Sequence, residues 1–140
     1  AVARTVKPTN TVIKIKDITI GAGAITLFAG PGVVENEDQL NTVAELMVAQ
    51  GVRVLRTNTF IPPTPTYADQ EVKIDSKQLK LLRQVADRYA FTVVSEVTTG
   101  SQVPLVSEYV DIIQVGAVNM RNFSLLGVAF SSHHHSLTAC

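Results

Sequence analysis

Four times between Ile25 and Asn119 a short apolar run gives way to a stretch with helical spacing, and this alternation restricts the fold more than any single residue. "ITLFAG" (25–30) precedes a segment in which Asn36 can cap a helix, with Gln39 at the capping-box position. Leu40, Val43, Ala44 and Met47 then recur at 3.6-residue spacing, and Gly51 ends the helix. "VRVLRT" (52–57) is followed by Asp75 with Gln78, a second capping pattern, and by the stripe Leu79, Leu82, Ala86 and Tyr89. "FTVVSEV" leads to a short helix over 101–110, and "DIIQVGA" to a last helix beginning near Asn119. Strands and helices in such alternation imply parallel strands with right-handed crossovers.

Within this pattern "ITLFAG", a near-continuous apolar run, reads as a strand buried on both faces. Ahead of it "TVIKIKDITIG" alternates at period two around Lys16-Asp17, which predicts two short strands or a hairpin over 12–24 after an arm over 1–11. "FIPPTPTYADQ" is a long loop, because its prolines fix φ and lack donors. Four βα units fit a small open sheet or half of a (β/α)8 barrel. The pattern alone favours the open sheet slightly, since a barrel takes about 250 residues.

The 140 residues suffice for one domain with a real core, and a hydrophobic fraction of 46% excludes a disordered chain. Twelve basic and twelve acidic residues cancel, leaving no electrostatic footprint for nucleic acid or an anionic membrane. No apolar run approaches the roughly 20 residues of a spanning helix. "AVARTVKPTN" lacks the apolar stretch of a secretory signal. Cys140 is the single cysteine, which excludes an internal disulfide and fits a reducing compartment.

Ligands of parallel α/β folds meet the C-terminal ends of the strands. Those ends are Gly30-Pro31-Gly32, Arg56-Thr57-Asn58, Glu96, and Gln114 with Gly116-Ala117-Val118. Gly-Pro-Gly is either a tight turn or a phosphate cradle. Arg56 suits an anion, through two parallel hydrogen bonds, or an ion pair with Glu96 or another acid. Glu96, on a strand expected to be buried, must be paired or functional. His133 to His135 read as a solvated tract, since neighbouring residues rarely converge on one ion. The residues alone propose an anion-binding α/β domain.

The stretches "AGPGVVENEDQL", "GVRVLRTNTF", "LKLLRQVADRY", "VVSEV" and "VSEYVDIIQVGAVNMRNFSLL", with the lead-in "VIKIKDITIGAG", add a resemblance over Val12 to Leu126. The chain resembles the N-terminal half of the 3-deoxy-arabino-heptulosonate 7-phosphate (DAHP) synthases, type I short form. It is also similar to the 3-deoxy-manno-octulosonate 8-phosphate synthases. This implies a (β/α)8 TIM-barrel fold, here roughly the first four βα units (25–126) behind an N-terminal β-hairpin, with an irregular tail over 127–140. It also implies a family activity: aldol condensation of phosphoenolpyruvate with erythrose 4-phosphate, with a divalent metal, in the shikimate pathway.

Residue by residue, the resemblance implies loss. Gly32 stands where the family's "AGPC" has a cysteine metal ligand. Ile61 and Pro63 replace the lysine and arginine of "KPRT", and Val118 replaces the arginine of "GAR". Arg56, Thr64 and Glu96 remain as substrate-binding positions, with Gln114 and the Gly30-Pro31 turn. The expectation is a truncated, catalytically degenerate synthase-like chain with no cofactor of its own and weak affinity for a phosphoenolpyruvate-like anion. The alternatives are a non-catalytic partner docking through open strand edges, and an active enzyme of altered chemistry completed by another chain. "ITLFAG" and "DIIQVGA" are expected as the outer strands, available for self-association or another chain. Arg56 and Glu96 are expected to pair in place of substrate. The expected location is the cytoplasm, or an organelle stroma in a plant or alga.

Overall fold

The computed structural model describes residues 8–21, 23–58 and 76–132, with the backbone of 135–138. Strands β1 (Ile13–Ile15) and β2 (Ile18–Ile20) form the expected antiparallel hairpin, with Ile15 opposite Ile18. Lys16 makes the turn in the left-handed region, at φ 51°.

The main sheet is parallel throughout, in the order β3 (Phe28–Ala29), β4 (Val54–Thr57), β5 (Thr92–Val97), β6 (Ile112–Val115), β7 (His135–Thr138). Helices α1 (Glu37–Ala49), α2 (Ser76–Arg88), α3 (Val103–Ser107) and α4 (Phe123–Ser131) make the crossovers. The sequential strand order is that of a barrel wall, in which each strand is laid beside the one before it.

Helix α1 starts where the capping pattern puts it. The Asn36 side chain accepts from the Gln39 N–H at 2.9 Å, and Gln39 Oε1 accepts from the Glu35 N–H at 2.9 Å. The first of these satisfies one of the four orphan donors at that end, and the second ties down the chain leading into it. Leu40, Ala44 and Met47 are buried as the spacing requires. Helix α2 buries Leu79, Leu82, Val85 and Ala86 in the same way; Asp75 lies outside the described residues. Asn122 caps α4 by accepting from the Leu125 N–H.

Period two along each strand divides the residues between two cores. Leu55, Val93, Val97, Ile113 and Val115 face the helices, in a cluster that includes Leu40, Leu82, Phe91 and Leu125. Val54, Val94 and Ile112 face the other way and meet Ile15 and Ile18 of the hairpin. The hairpin therefore covers the inner face of the wall at its lower end.

Several expectations are corrected. The stretch 127–140 is not wholly irregular: α4 runs to Ser131, and His135–Thr138 pair in parallel with Ile112–Val115. The polar residues hid this strand, because one backbone ladder against β6 needs no apolar period. It follows that β6, in "DIIQVGA", is an inner strand, and β3 and β7 are the outer ones. Among the described residues "ITLFAG" pairs only through Phe28 and Ala29, and Ile25, ahead of that edge strand, is 90% exposed rather than buried. The helix expected over 101–110 is a 3-10 turn, Gly100–Gln102, followed by α3. The last helix begins after Asn122, behind a 3-10 turn at Ala117–Asn119.

Candidate functional site

Arg56, Glu96 and Gln114 lie on the inner face of β4, β5 and β6, two residues beyond Val54, Val94 and Ile112. The apolar layer against the hairpin is thus succeeded by a polar layer at the C-terminal ends of the strands. Arg56 Nη2 donates to Glu96 Oε2 at 3.2 Å, and Arg56 Nε donates to Gln114 Oε1 at 3.1 Å. The guanidinium reaches across β5 to do so. With side chains 32% and 21% exposed, the Arg56–Glu96 pair is neither dry nor fully solvated. The ion pair expected from the sequence is therefore present, and Gln114 completes its fork.

The first corner is built against this layer. Gly30 has φ +152°, and a Cβ there would collide with the Arg56 carbonyl oxygen and lie 3.0 Å from Leu55 Cδ1. Only glycine permits that approach. Beyond it the Asn58 N–H donates to the Gly32 carbonyl at 3.1 Å, and Val33 bridges Asn58. Gly32 itself is different: among the described residues a Cβ there would meet nothing within 4 Å. On the α1 side of the corner, an opening of about 270 Å³ is lined mainly by apolar groups, including Pro31, Val43, Met47 and Val52, and none of the described residues lining it is charged.

Val118 is 99% exposed beyond β6. Ile61, Pro63 and Thr64 lie outside the described residues. Gly32 offers no side-chain ligand, and among the described residues no three His, Cys, Asp or Glu side chains converge on a common point. The residues described do not fit a divalent metal at this corner. Gln102, unmarked by the sequence, shapes the rim after β5: its Oε1 accepts from the Thr98 N–H at 2.8 Å and the Thr99 N–H at 3.2 Å. Its position three residues after Thr99, in a capping-box arrangement, was the available signal.

A second polar cluster sits at the opposite, N-terminal end of the strands. The Asp111 carboxylate accepts from Lys16 Nζ at 2.8 Å, Arg83 Nη1 at 3.0 Å and the Val93 N–H at 2.8 Å. Burial raises its pKa, but the bonds from Lys16, Val93 and Arg83 outweigh that, and the carboxyl is held below its ordinary value. This cluster joins the hairpin, α2, β5 and the start of β6. It is structural in its geometry, since each partner is a neighbouring element.

Parallel strands wound in order, helices on one face, and charged side chains at the C-terminal ends of the other define a portion of a (β/α)8 barrel with its polar mouth. The sequence agrees: a model of the DAHP synthetase I family matches residues 8–135, and the chain belongs to that family. It is 42% identical over 130 residues to a phospho-2-dehydro-3-deoxyheptonate aldolase of Thermotoga maritima. It is 33% identical over 132 residues to a 2-dehydro-3-deoxyphosphooctonate aldolase of Desulfatibacillum aliphaticivorans. Those matches cover 93% and 89% of this chain but 38% and 48% of the relatives. The crystal structure of the Thermotoga maritima DAHP synthase superposes with a TM-score of 0.87 at 38% identity, over 97% of this chain and 39% of that one. A truncated form of the Thermotoga maritima synthase gives 0.82 at 38% identity, over 96% and 47%. The barrel reading, and with it the family, is therefore right, and the slight preference for an open sheet is overturned.

Proposed function

We propose that the mouth around Arg56 is a residual anion site of the DAHP synthase kind, binding a phosphoenolpyruvate-like anion weakly, and that this chain by itself does not catalyse the condensation. The observation that carries this reading is the occupied fork of Arg56. Two of its donors already serve Glu96 and Gln114, so an incoming phosphate or carboxylate must compete for them. The family positions at Gly32, Ile61, Pro63 and Val118 carry no charge and no metal-binding side chain. A charge-assisted hydrogen bond to phosphate is typically worth about 1.5–3 kcal/mol. Without several of them, affinity falls by orders of magnitude.

With Gly32, Ile61, Pro63 and Val118 unable to hold the phosphate or polarise an aldehyde, the chain supports binding without turnover. Gly32 cannot ligate a metal, so this corner supplies none of the family's metal chemistry. The test is a condensation assay on the purified chain with phosphoenolpyruvate and erythrose 4-phosphate, with and without manganese. Absence of product is expected. Metal-dependent turnover above background would refute the inactive reading.

One observation favours a second role. Ile25 and Leu27, leading into β3, and Phe28 within it expose apolar surface, and the outer edge of β3 has no partner strand among the described residues. An edge of this kind is a template for pairing. The second reading is a non-catalytic partner whose β3 edge docks on a copy of itself or on another chain. A mass measurement in solution that stays monomeric at high concentration would count against self-association.

A further inference from the structure

Gly116 follows β6 with φ −70° and ψ 162°, torsions that any residue adopts. The backbone therefore does not require glycine there. Space does. A Cβ on Gly116 would overlap Glu96 Oε1 and lie 2.9 Å from the carboxyl carbon. The carboxylate thus rests on the face of Gly116 through Oε1 while Oε2 accepts from Arg56 Nη2.

We propose that Gly116 is a positioning residue. Its missing side chain lets the Glu96 carboxylate lie against Arg56, where it acts as a built-in competitor for any external anion. Glu96 is a tethered carboxylate at the guanidinium, so it reduces the affinity of a second anion by occupying a donor and by like-charge repulsion. A side chain at 116 drives the carboxylate off the guanidinium and opens the fork. The size of a partly exposed ion pair implies a gain in phosphate affinity of about 2- to 5-fold when it is broken. The competitor role rests on the anion reading given above; the positioning role does not.

The experiment compares the unaltered chain with Gly116→Ala, Glu96→Ala, the double variant and Arg56→Ala. The Arg56 Nη2–H resonance in proton–nitrogen spectra reports the bond to Glu96 directly, while Nε–H reports the bond to Gln114. Titration with inorganic phosphate reports affinity. Gly116→Ala is expected to shift the Arg56 Nη2–H resonance toward its position in Glu96→Ala and to tighten phosphate binding. In the Glu96→Ala background the same substitution has no carboxylate to displace, so it adds nothing further. An unchanged Nη2–H resonance in Gly116→Ala, or a gain of full size when Gly116→Ala is added to Glu96→Ala, overturns the proposal. If Gly116→Ala does not fold, the double variant relieves the overlap and must fold; its failure also overturns it. A phosphate response that survives in Arg56→Ala refutes the anion reading and the competitor role with it. The resonance and the rescue then still judge the positioning of Glu96 by Gly116.

Discussion

Removing the Asp111 side chain tests whether the hairpin, α2 and the strands are joined at one carboxylate. In Asp111→Ala the Val93 N–H, on a fully buried residue, loses its 2.8 Å acceptor. An unsatisfied buried donor costs about 1–3 kcal/mol. Arg83 loses its bond at 3.0 Å but keeps Asp87 at 2.7 Å, which limits the further loss. Lys16, with a side chain 45% exposed, contributes as a surface pair, about 0–1 kcal/mol. The sum is about 3 kcal/mol, a displacement of the urea midpoint by about 1–2 M.

Lys16→Ala should cost less than about 1 kcal/mol. Asp111→Asn, which keeps an acceptor for Val93, should fall between the two. The pH dependence has a definite sign. The Asp111 pKa is depressed on folding, so the stability it supplies is complete above the ordinary value of 3.8 and is lost as pH falls through the lower folded value. The gap between the unaltered chain and Asp111→Asn should hold steady from neutral pH down to about the ordinary value and shrink in stronger acid. Urea melts across this range are the assay. Equal midpoints for Asp111→Ala and the unaltered chain would refute the reasoning. So would a Lys16→Ala variant as damaged as Asp111→Ala, or a gap indifferent to acid.

Three further outcomes are expected. Gly30→Ala should be severely destabilising, by about 2 kcal/mol or more, because it combines an unfavourable φ with a collision at the Arg56 carbonyl; a thermal melt checks it. Asn36→Ala should cost about 1 kcal/mol by removing the bond to the Gln39 N–H, and should appear as faster amide exchange in the first turn of α1. Gly32→Cys should leave the melting curve within about 0.5 kcal/mol of the unaltered chain, since a Cβ there meets none of the described residues, and a thiol titration of the folded chain should find it reactive.

The helices and most of the strands were legible because their signals are local. Asn36 and Gln39 sit in the same turn they cap, and Leu40, Ala44 and Met47 declare one face by spacing alone. Arg56 and Glu96 were legible as strand-end residues, and their pairing followed from opposite charge on neighbouring strands. Thr64, Ile61 and Pro63 fall outside the described residues, so their part in the mouth stays with the resemblance. What escaped the sequence was long-range. Gly116 looks like any glycine after a strand until Glu96, twenty positions earlier, is found lying on it. Asp111 and Arg83 are ordinary surface types until the fold brings them within 3.0 Å.

The sequence by itself determined the hairpin, the alternation of strands and helices from β3 to α4, the Asn36 cap, the buried face of α1, and the absence of a cysteine at position 32. These follow from hydrogen-bond geometry within a turn and from periods of 3.6 and two, which act over a few residues. Tertiary structure alone decided that β7 joins the sheet beside β6, that β3 is left at an edge, and that Arg56 is shared between Glu96 and Gln114. Those outcomes depend on which backbones lie side by side. A polar segment pairs as readily as an apolar one once a neighbouring strand presents its unpaired carbonyls and amides, and a guanidinium takes whichever acceptors the curvature of the wall brings within reach.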